Sequence, residues 1–399
     1  MLLRNTVLFD GTGAPPRRHM DLRVYGGQIV AVGPGLEEAD GEETLDLDGR
    51  WLMPGLIDCH VHLTFAGEPD DMAKSPTTPA PVLAWTAAEN ARCTLEAGVT
   101  TARDLGTIHA ISVHLRDAIA AGRLPGPRLR AVNSIICITG GHGWPMGRQA
   151  DGADEVRKAV REQLRAGADC IKFTATGGVM TPGVDPRAAS FTEEELRAGI
   201  EEAHKAFKRA AAHAQGTAGI RNAVRAGIDS IEHGIFLDAE VIEEMRARGT
   251  FLVPTLAAPQ NISHHGIAGG VPAYMVEKSD QVREIHRESF RAAVRAGVRV
   301  AMGTDAGTPF NRHGANATEI ALMVECGMPA SEALLAATRN AADLLDLTAV
   351  TGTIELGKAA DVLIVEGDPL TQIRVLCDAE RVIGVMKGGV WVKRAGAAR

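Results

Sequence analysis

Residues 227–254 read GIDSIEHGIFLDAEVIEEMRARGTFLVP, and the order of short and long segments in this stretch decides the fold. Gly227 precedes a short apolar run ending at His233. A longer stretch of helical character follows, and then Gly249 precedes a second run ending at Pro254. A glycine just past a helix and just before a strand fits the C′ position, where the left-handed backbone is cheapest without a Cβ. Short apolar or β-branched runs alternating with helical stretches are the mark of βα units on a parallel sheet. The pattern extends in both directions. Gly98, Gly167 and Gly297 occupy equivalent places, and eight runs end near Asp58, Asp104, Cys137, Thr174, His213, His233, Pro254 and Asp305. Between them the helical period recurs, with Leu196, Ile200, Ala203 and Phe207 on one face and Ile320, Met323 and Val324 on another. Eight βα units predict an α/β fold, a (β/α)8 TIM-like barrel, because right-handed crossovers leave few alternatives.

The two ends have a different character. Residues 21–33 alternate apolar and polar around Gly26-Gly27, which predicts a β-hairpin, and the pattern returns in 382–386 and 390–392 around Gly388-Gly389. Residues 1–54 and 354–399 are therefore expected to form one composite β-sandwich domain, with 55–353 as the barrel. No linker, low-complexity tract or solenoid-length repeat interrupts the chain.

Composition excludes several function classes. The 399 residues are 45% hydrophobic and 23% charged, enough to bury a large core. Net charge is -8 with no long run of one sign, which argues against nucleic acid, whose phosphates need clustered Lys and Arg. Nowhere do 18 uncharged apolar residues run together, and the opening MLLRNTVLFDGTG is too short for a secretory core, so no membrane partner and a cytoplasmic location are expected. The six cysteines are scattered without a C-x-x-C pair, which predicts buried small hydrophobes rather than disulfides or a thiolate metal site.

The chemistry collects at strand ends, where barrels of this kind place function. The first run gives His60-Val61-His62, and a period of two aims both imidazoles to one side. The fourth, Cys170-Ile-Lys-Phe-Thr174, carries Lys172 between apolar neighbours; the fifth, sixth and eighth end at His213, His233 and Asp305. Each alone is weak. Together they form a set that chance rarely supplies, even with 13 histidines in the chain. Lys172 is the most informative member. A lysine inside a buried strand must be neutral or paired, either with a carboxylate at the barrel rim or by conversion. A desolvated neutral amine is nucleophilic and can take up carbon dioxide, giving a carbamate suited to bridging two cations about 3.5–4 Å apart.

Several stretches extend this pattern: PGLIDCHVHL (54–63), GVTTARDLG (98–106), GGHG (140–143), IKFTATGGV (171–179), AAHAQG (211–216), IEHG (231–234), GTDAGTP (303–309), AATRNAADLLDL (336–347) and GTIELGKAADVLIVEGDPL (352–370). In these the chain resembles the amidohydrolase superfamily, in its imidazolonepropionase-like and Xaa-Pro or Arg/Lys dipeptidase-like (prolidase-like) branch with a binuclear metal centre. The resemblance implies that His60, His62 and Asp305 hold the more buried of two divalent metal ions. His213 and His233 would hold the more exposed one, with N-carboxylated Lys172 bridging both. Zinc suits these ligands, as would manganese or cobalt. It further implies attack by a metal-bridging hydroxide, with Asp305 as general base and then general acid.

The resemblance also places His142 at the substrate or its oxyanion, with a loop histidine bonded to backbone as the plainer alternative. Gly177 and Gly178 would let a loop pass close to the ligand or form an ordinary turn. Gln215 stands where some dipeptidases of the branch carry a tyrosine for the substrate α-carboxylate, which puts recognition of a free carboxylate in doubt. His313 is a further candidate for the pocket wall. His264 and His265 fall in a polar segment, 259–272, that would form a lid or an exposed loop; His19, His109, His114, His204 and His286 are expected to be structural or at the surface. The implied activity is hydrolysis of a carbon–nitrogen bond in a small amide, a dipeptide or N-acyl amino acid, with lactone, ester, carbamate or phosphotriester hydrolysis as the alternative. A mononuclear deaminase fits less well, since Ala214, Gln215 and Gly216 follow His213 where a glutamate is expected. A non-enzymatic scaffold fits least, with the ligand set complete. Relatives of this kind are usually homo-oligomers, and the same is expected here.

Overall fold

Leu56–Val61 is buried along its whole length, as a strand covered on both sides by packed side chains must be. It belongs to a ring of parallel strands in the computed structural model, which describes residues 1–394. Val99–Asp104 pairs with it and with Arg128–Ala131; Cys170–Thr174, Arg209–Ala214, Ser230–His233 and Phe251–Val253 follow in parallel order. The register sets Thr174 opposite His213 and Ala214 opposite His233, so the ligand-type side chains gather at one end. Outside the ring lie amphipathic helices such as Glu193–Lys205, whose start is fixed by a capping box between Thr192 and Glu195 and whose Leu196, Ile200 and Ala203 are buried.

Three details depart from the sequence expectation. The third run is split: Arg128–Ala131 serves one neighbour and Ile136–Cys137 the other, through Ile136 opposite Phe173. The eighth run forms no regular strand, only bridges pairing Val300 with Leu252 and Ala306 with Val61. The seam nevertheless closes, by Cys59 N–H to Met302 O (2.9 Å) and Asp305 N–H to His60 O (2.8 Å). The physical reason is Asp58. Its buried carboxylate accepts the Thr304 N–H at 3.1 Å and the His60 N–H at 3.0 Å, taking over bonds a regular ladder would make. Third, Phe207 does not share the helical face of Leu196. The helix ends at Lys205, Phe207 turns into left-handed backbone (φ 56°), and the residue is 93% exposed.

Strands from both termini build a separate, largely antiparallel sheet. Arg17–Tyr25 pairs with Gln28–Gly33 around the Gly26-Gly27 turn, and Val382–Lys387 with Val390–Lys393. Val362–Val365 joins the halves by pairing with Trp51–Pro54. This sheet has its own core, including Leu3, Leu22, Leu52, Val362 and Met386. Arg128 in the barrel reaches Asp361 in the connecting segment at 2.5 Å, tying sheet to barrel.

Candidate metal-binding active site

Asp305 is the meeting point of the first histidine pair. His60 Nε2 lies 3.2 Å and His62 Nε2 3.3 Å from its Oδ1. Across the ring mouth, His213 Nδ1 faces His233 Nε2 at 2.9 Å. The arrangement of the other ring nitrogens is what makes these four histidines ligand-like. His60 Nδ1 donates to Glu232 Oε2 at 2.8 Å, His62 Nδ1 to the Gly106 carbonyl at 3.3 Å and His213 Nε2 to the Gly177 carbonyl at 2.8 Å; His233 Nδ1 pairs with Thr255 Oγ1 at 2.7 Å. Each imidazole is thus anchored through one nitrogen and turns the other into a shared space, the outer-shell pattern of metal-bound histidine. Two ligand-type residues, His233 (φ 72°) and Asp305 (φ 60°), hold left-handed backbone that non-glycine residues avoid.

Lys172 lines the same space, and its Nζ is buried without a hydrogen-bond partner among the described residues. Burial lowers its pKa to about 8, so a substantial neutral fraction exists near pH 7–8. Burial likewise holds His213 and His233 well below the usual histidine range, leaving neutral imidazoles with lone pairs to offer. Neutral imidazoles and a carboxylate are donors that a divalent cation takes, and those of His60, His62 and Asp305 lie close enough together to hold one.

Sequence reasoning missed the supports. Glu232 is fully buried; burial alone would raise its pKa, but the adjacent Arg103 and Lys172 outweigh it and bring the carboxyl to about 2. Arg103 pairs with Glu232 at 2.9 Å and donates from Nε to the Cys59 carbonyl at 2.7 Å. Both lie inside apolar strand runs, so the argument applied to Lys172 would have found them. Asp58 carries the same signal: a buried acid one strand period before His60.

The cavity above these residues opens to solvent, and the space within it, its solvent-filled mouth included, is about 780 Å³. His142 and Gln215 line it, and Gln215 Oε1 is buried without a partner among the described residues. His142 is neutral, with burial taking its pKa to about 3, and its Nδ1 lies 2.8 Å from Thr181 Oγ1. Gly177 and Gly178 back the site and do not line the cavity. The Gly177 carbonyl anchors His213, and a Cβ on Gly178 would stand 2.6 Å from the His142 ring. His313 is likewise outside the cavity wall; it sits behind His62, Nε2 3.2 Å from that residue's carbonyl. His286, expected to be structural or at the surface, is buried and lines the cavity, with its Nε2 2.9 Å from the His233 carbonyl. His264 and His265 end a helix, Ala257–His265, whose Ala258, Pro259 and Ile262 wall the cavity. The segment 176–190 is strapped down from the long helix Ala273–Arg295. Lys278 Nζ donates to the carbonyls of Gly178, Thr181 and Val184 at 3.0, 2.8 and 2.7 Å, and Tyr274 OH to that of Met180 at 3.1 Å.

The chain is 34% identical over 382 residues to ochratoxinase of Aspergillus niger, covering 86% of this chain and 76% of that protein. The crystal structure of a Xaa-Pro dipeptidase with bound methionine in the active site superposes with TM-score 0.90 at 35% identity, covering 98% of both chains. That of a prolidase complexed with N-methylphosphonate-L-proline gives TM-score 0.92 at 30% identity, covering 98% and 99%. No helix of the described residues is long and apolar enough to cross a membrane. The profile of the amidohydrolase family matches residues 51–392. This chain therefore belongs to the amidohydrolase family and is an enzyme of the hydrolase class.

Proposed function

We propose that this enzyme hydrolyses the amide bond of a dipeptide or N-acyl amino acid at two divalent metal ions, zinc being the best match to the ligands. His60, His62 and Asp305 would hold one ion and His213 and His233 the other, with Lys172, N-carboxylated, between them. The observation that carries the reading is the set of four imidazoles, each anchored by one nitrogen and turning the other toward Asp305 or a neighbouring imidazole, around a buried amine unpartnered among the described residues. Bound there, the metal pair supplies Lewis acidity and a water activated at neutral pH.

The remaining work falls to the chain's own groups. Asp305 takes a proton from the attacking water and returns it to the leaving amine. His142, held neutral and oriented by Thr181, donates a hydrogen bond to the carbonyl oxygen as negative charge builds on it. Gln215 Oε1 accepts the substrate N–H. The names of the relatives, ochratoxinase and Xaa-Pro dipeptidase among them, support an amide as the scissile group.

The test is a hydrolysis screen of the zinc-loaded protein, with metal content measured in parallel. The expected result is about two ions per chain and cleavage of dipeptides or N-acyl amino acids. Turnover of lactones or aryl esters with no amide cleaved would transfer the reading to ester chemistry at the same site. Release of ammonia from an amino-substituted ring, with one ion per chain, would replace it by deamination.

A further inference from the structure

The cavity is lined by two kinds of surface. One carries the ligand-type side chains; the other is apolar and includes Phe65, Met72, Ile135 and Met146 in one cluster and, at the end formed by the long helix, Val179, Ile235 and Ile262, which pack with its Met275 and Val282. Ser279 stands between those last two on the same face, one turn from each. It is fully buried, it lines the cavity, and its Oγ has no hydrogen-bond partner among the described residues. The hydroxyl does not bond back to the Met275 carbonyl one turn earlier, the usual resort of a serine inside a helix. A buried, unpaired hydroxyl is a penalty that alanine would avoid while also favouring the helix. A group kept under those terms is one that a ligand can satisfy.

Charge narrows the ligand further. Among the described residues, the cavity lining contains no arginine, and Lys172 is its only lysine. The neighbouring Lys278 is committed to three backbone carbonyls. An anionic arm has no cation to meet at the apolar end, and a cationic arm has no carboxylate there. Burying either would be prohibitive.

Building on the amide reading above, we propose that Ser279 determines specificity. The substrate extends from its scissile amide into the apolar end with a bulky, uncharged, mainly aromatic or aliphatic arm. That arm bears one hydrogen-bond acceptor, an ether, carbonyl or phenolic oxygen, to which Ser279 Oγ–H donates. A site that hydrogen-bonds such an oxygen discriminates against the analogue lacking it, because that analogue leaves the buried hydroxyl unpaired.

The experiment compares wild type with Ser279→Ala in two ways. Hydrolysis is measured on two pairs that place the oxygen on either side of the amide: N-acetylphenylalanine against N-acetyl-O-methyltyrosine, and N-(3-phenylpropanoyl)alanine against its 4-methoxyphenyl counterpart. In one pair, wild type is expected to favour the oxygen-bearing member by about tenfold in kcat/KM. Ser279→Ala should bring that ratio to about one by slowing only the oxygen-bearing member, with metal content unchanged. Binding is measured calorimetrically on 4-phenylbutan-2-one and 4-(4-methoxyphenyl)butan-2-one, which carry carbonyl and arm but no bond to hydrolyse. A Ser279-dependent preference between the ketones without cleavage of any amide would retain this assignment and remove the amide reading. Indifference of the wild type to the oxygen in every pair, an equal preference in Ser279→Ala, or no saturable ketone binding would overturn it.

Discussion

The two histidine pairs of the site are held by different chemistry. His60 leans on a carboxylate, Glu232, which is locked to the buried guanidinium of Arg103. His60 and Thr304 are further joined through Asp58. His213 and His233 lean instead on neutral oxygens, the Gly177 carbonyl and the Thr255 hydroxyl. A carboxylate behind an imidazole raises its basicity and fixes its tautomer more firmly than a carbonyl does. A buried ion pair is also costly to break once formed. The first pair, through His60, is therefore the more firmly held half of the site, although His62 leans on the Gly106 carbonyl much as the second pair leans on neutral oxygens.

The most severe way to break that contrast is Lys172→Ala, which removes the only group expected to serve both halves. Bound metal should fall and activity should drop by about 10³-fold or more, without rescue by bicarbonate; full activity in this variant would end the bridging scheme. Glu232→Gln comes next. It keeps a contact to His60 but leaves Arg103 buried and uncompensated, so a loss of about 3 kcal/mol in stability is expected in a denaturant melt, together with weaker metal binding. Lys278→Met attacks neither pair. Segment 176–190 should become sensitive to limited proteolysis and kcat/KM should fall by about tenfold through His142, while metal content stays as in wild type. The smallest effect belongs to Thr255→Val. Here about tenfold weaker retention of one ion and unchanged retention of the other, followed by chelator titration, would sharpen the contrast. Equal loss of both ions would erase it.

The legible parts of this molecule are those dictated by local rules. Parallel strands, helix stops and the ligand-type residues at strand ends all follow from periodicity and from the cost of burying a charge. What escaped depends on partners distant in sequence. Lys278 meets Gly178 across 100 residues and Asp58 meets Thr304 across 246, so neither bond leaves a local trace. Phe207 escaped for the opposite reason. Its spacing from Ala203 is helical, but the chain has already left the helix, and spacing cannot sense a change of backbone basin. The roles of Gly177 and Gly178 were half visible: small residues near the ligands, but serving to seat His213 and His142 rather than to line the space.

The seam of the ring lies between its first and last segments, and His60 and His62 come from one side of it while Asp305 comes from the other. Any cation chelated by these three acts as the clasp of a bracelet, joining ends that are 243 residues apart along the chain from His62 to Asp305. Unclasping the bracelet then requires releasing the ion. Thermal endurance should accordingly climb with free metal concentration as mass action dictates, so that the catalytic apparatus doubles as a fastener for its own scaffold.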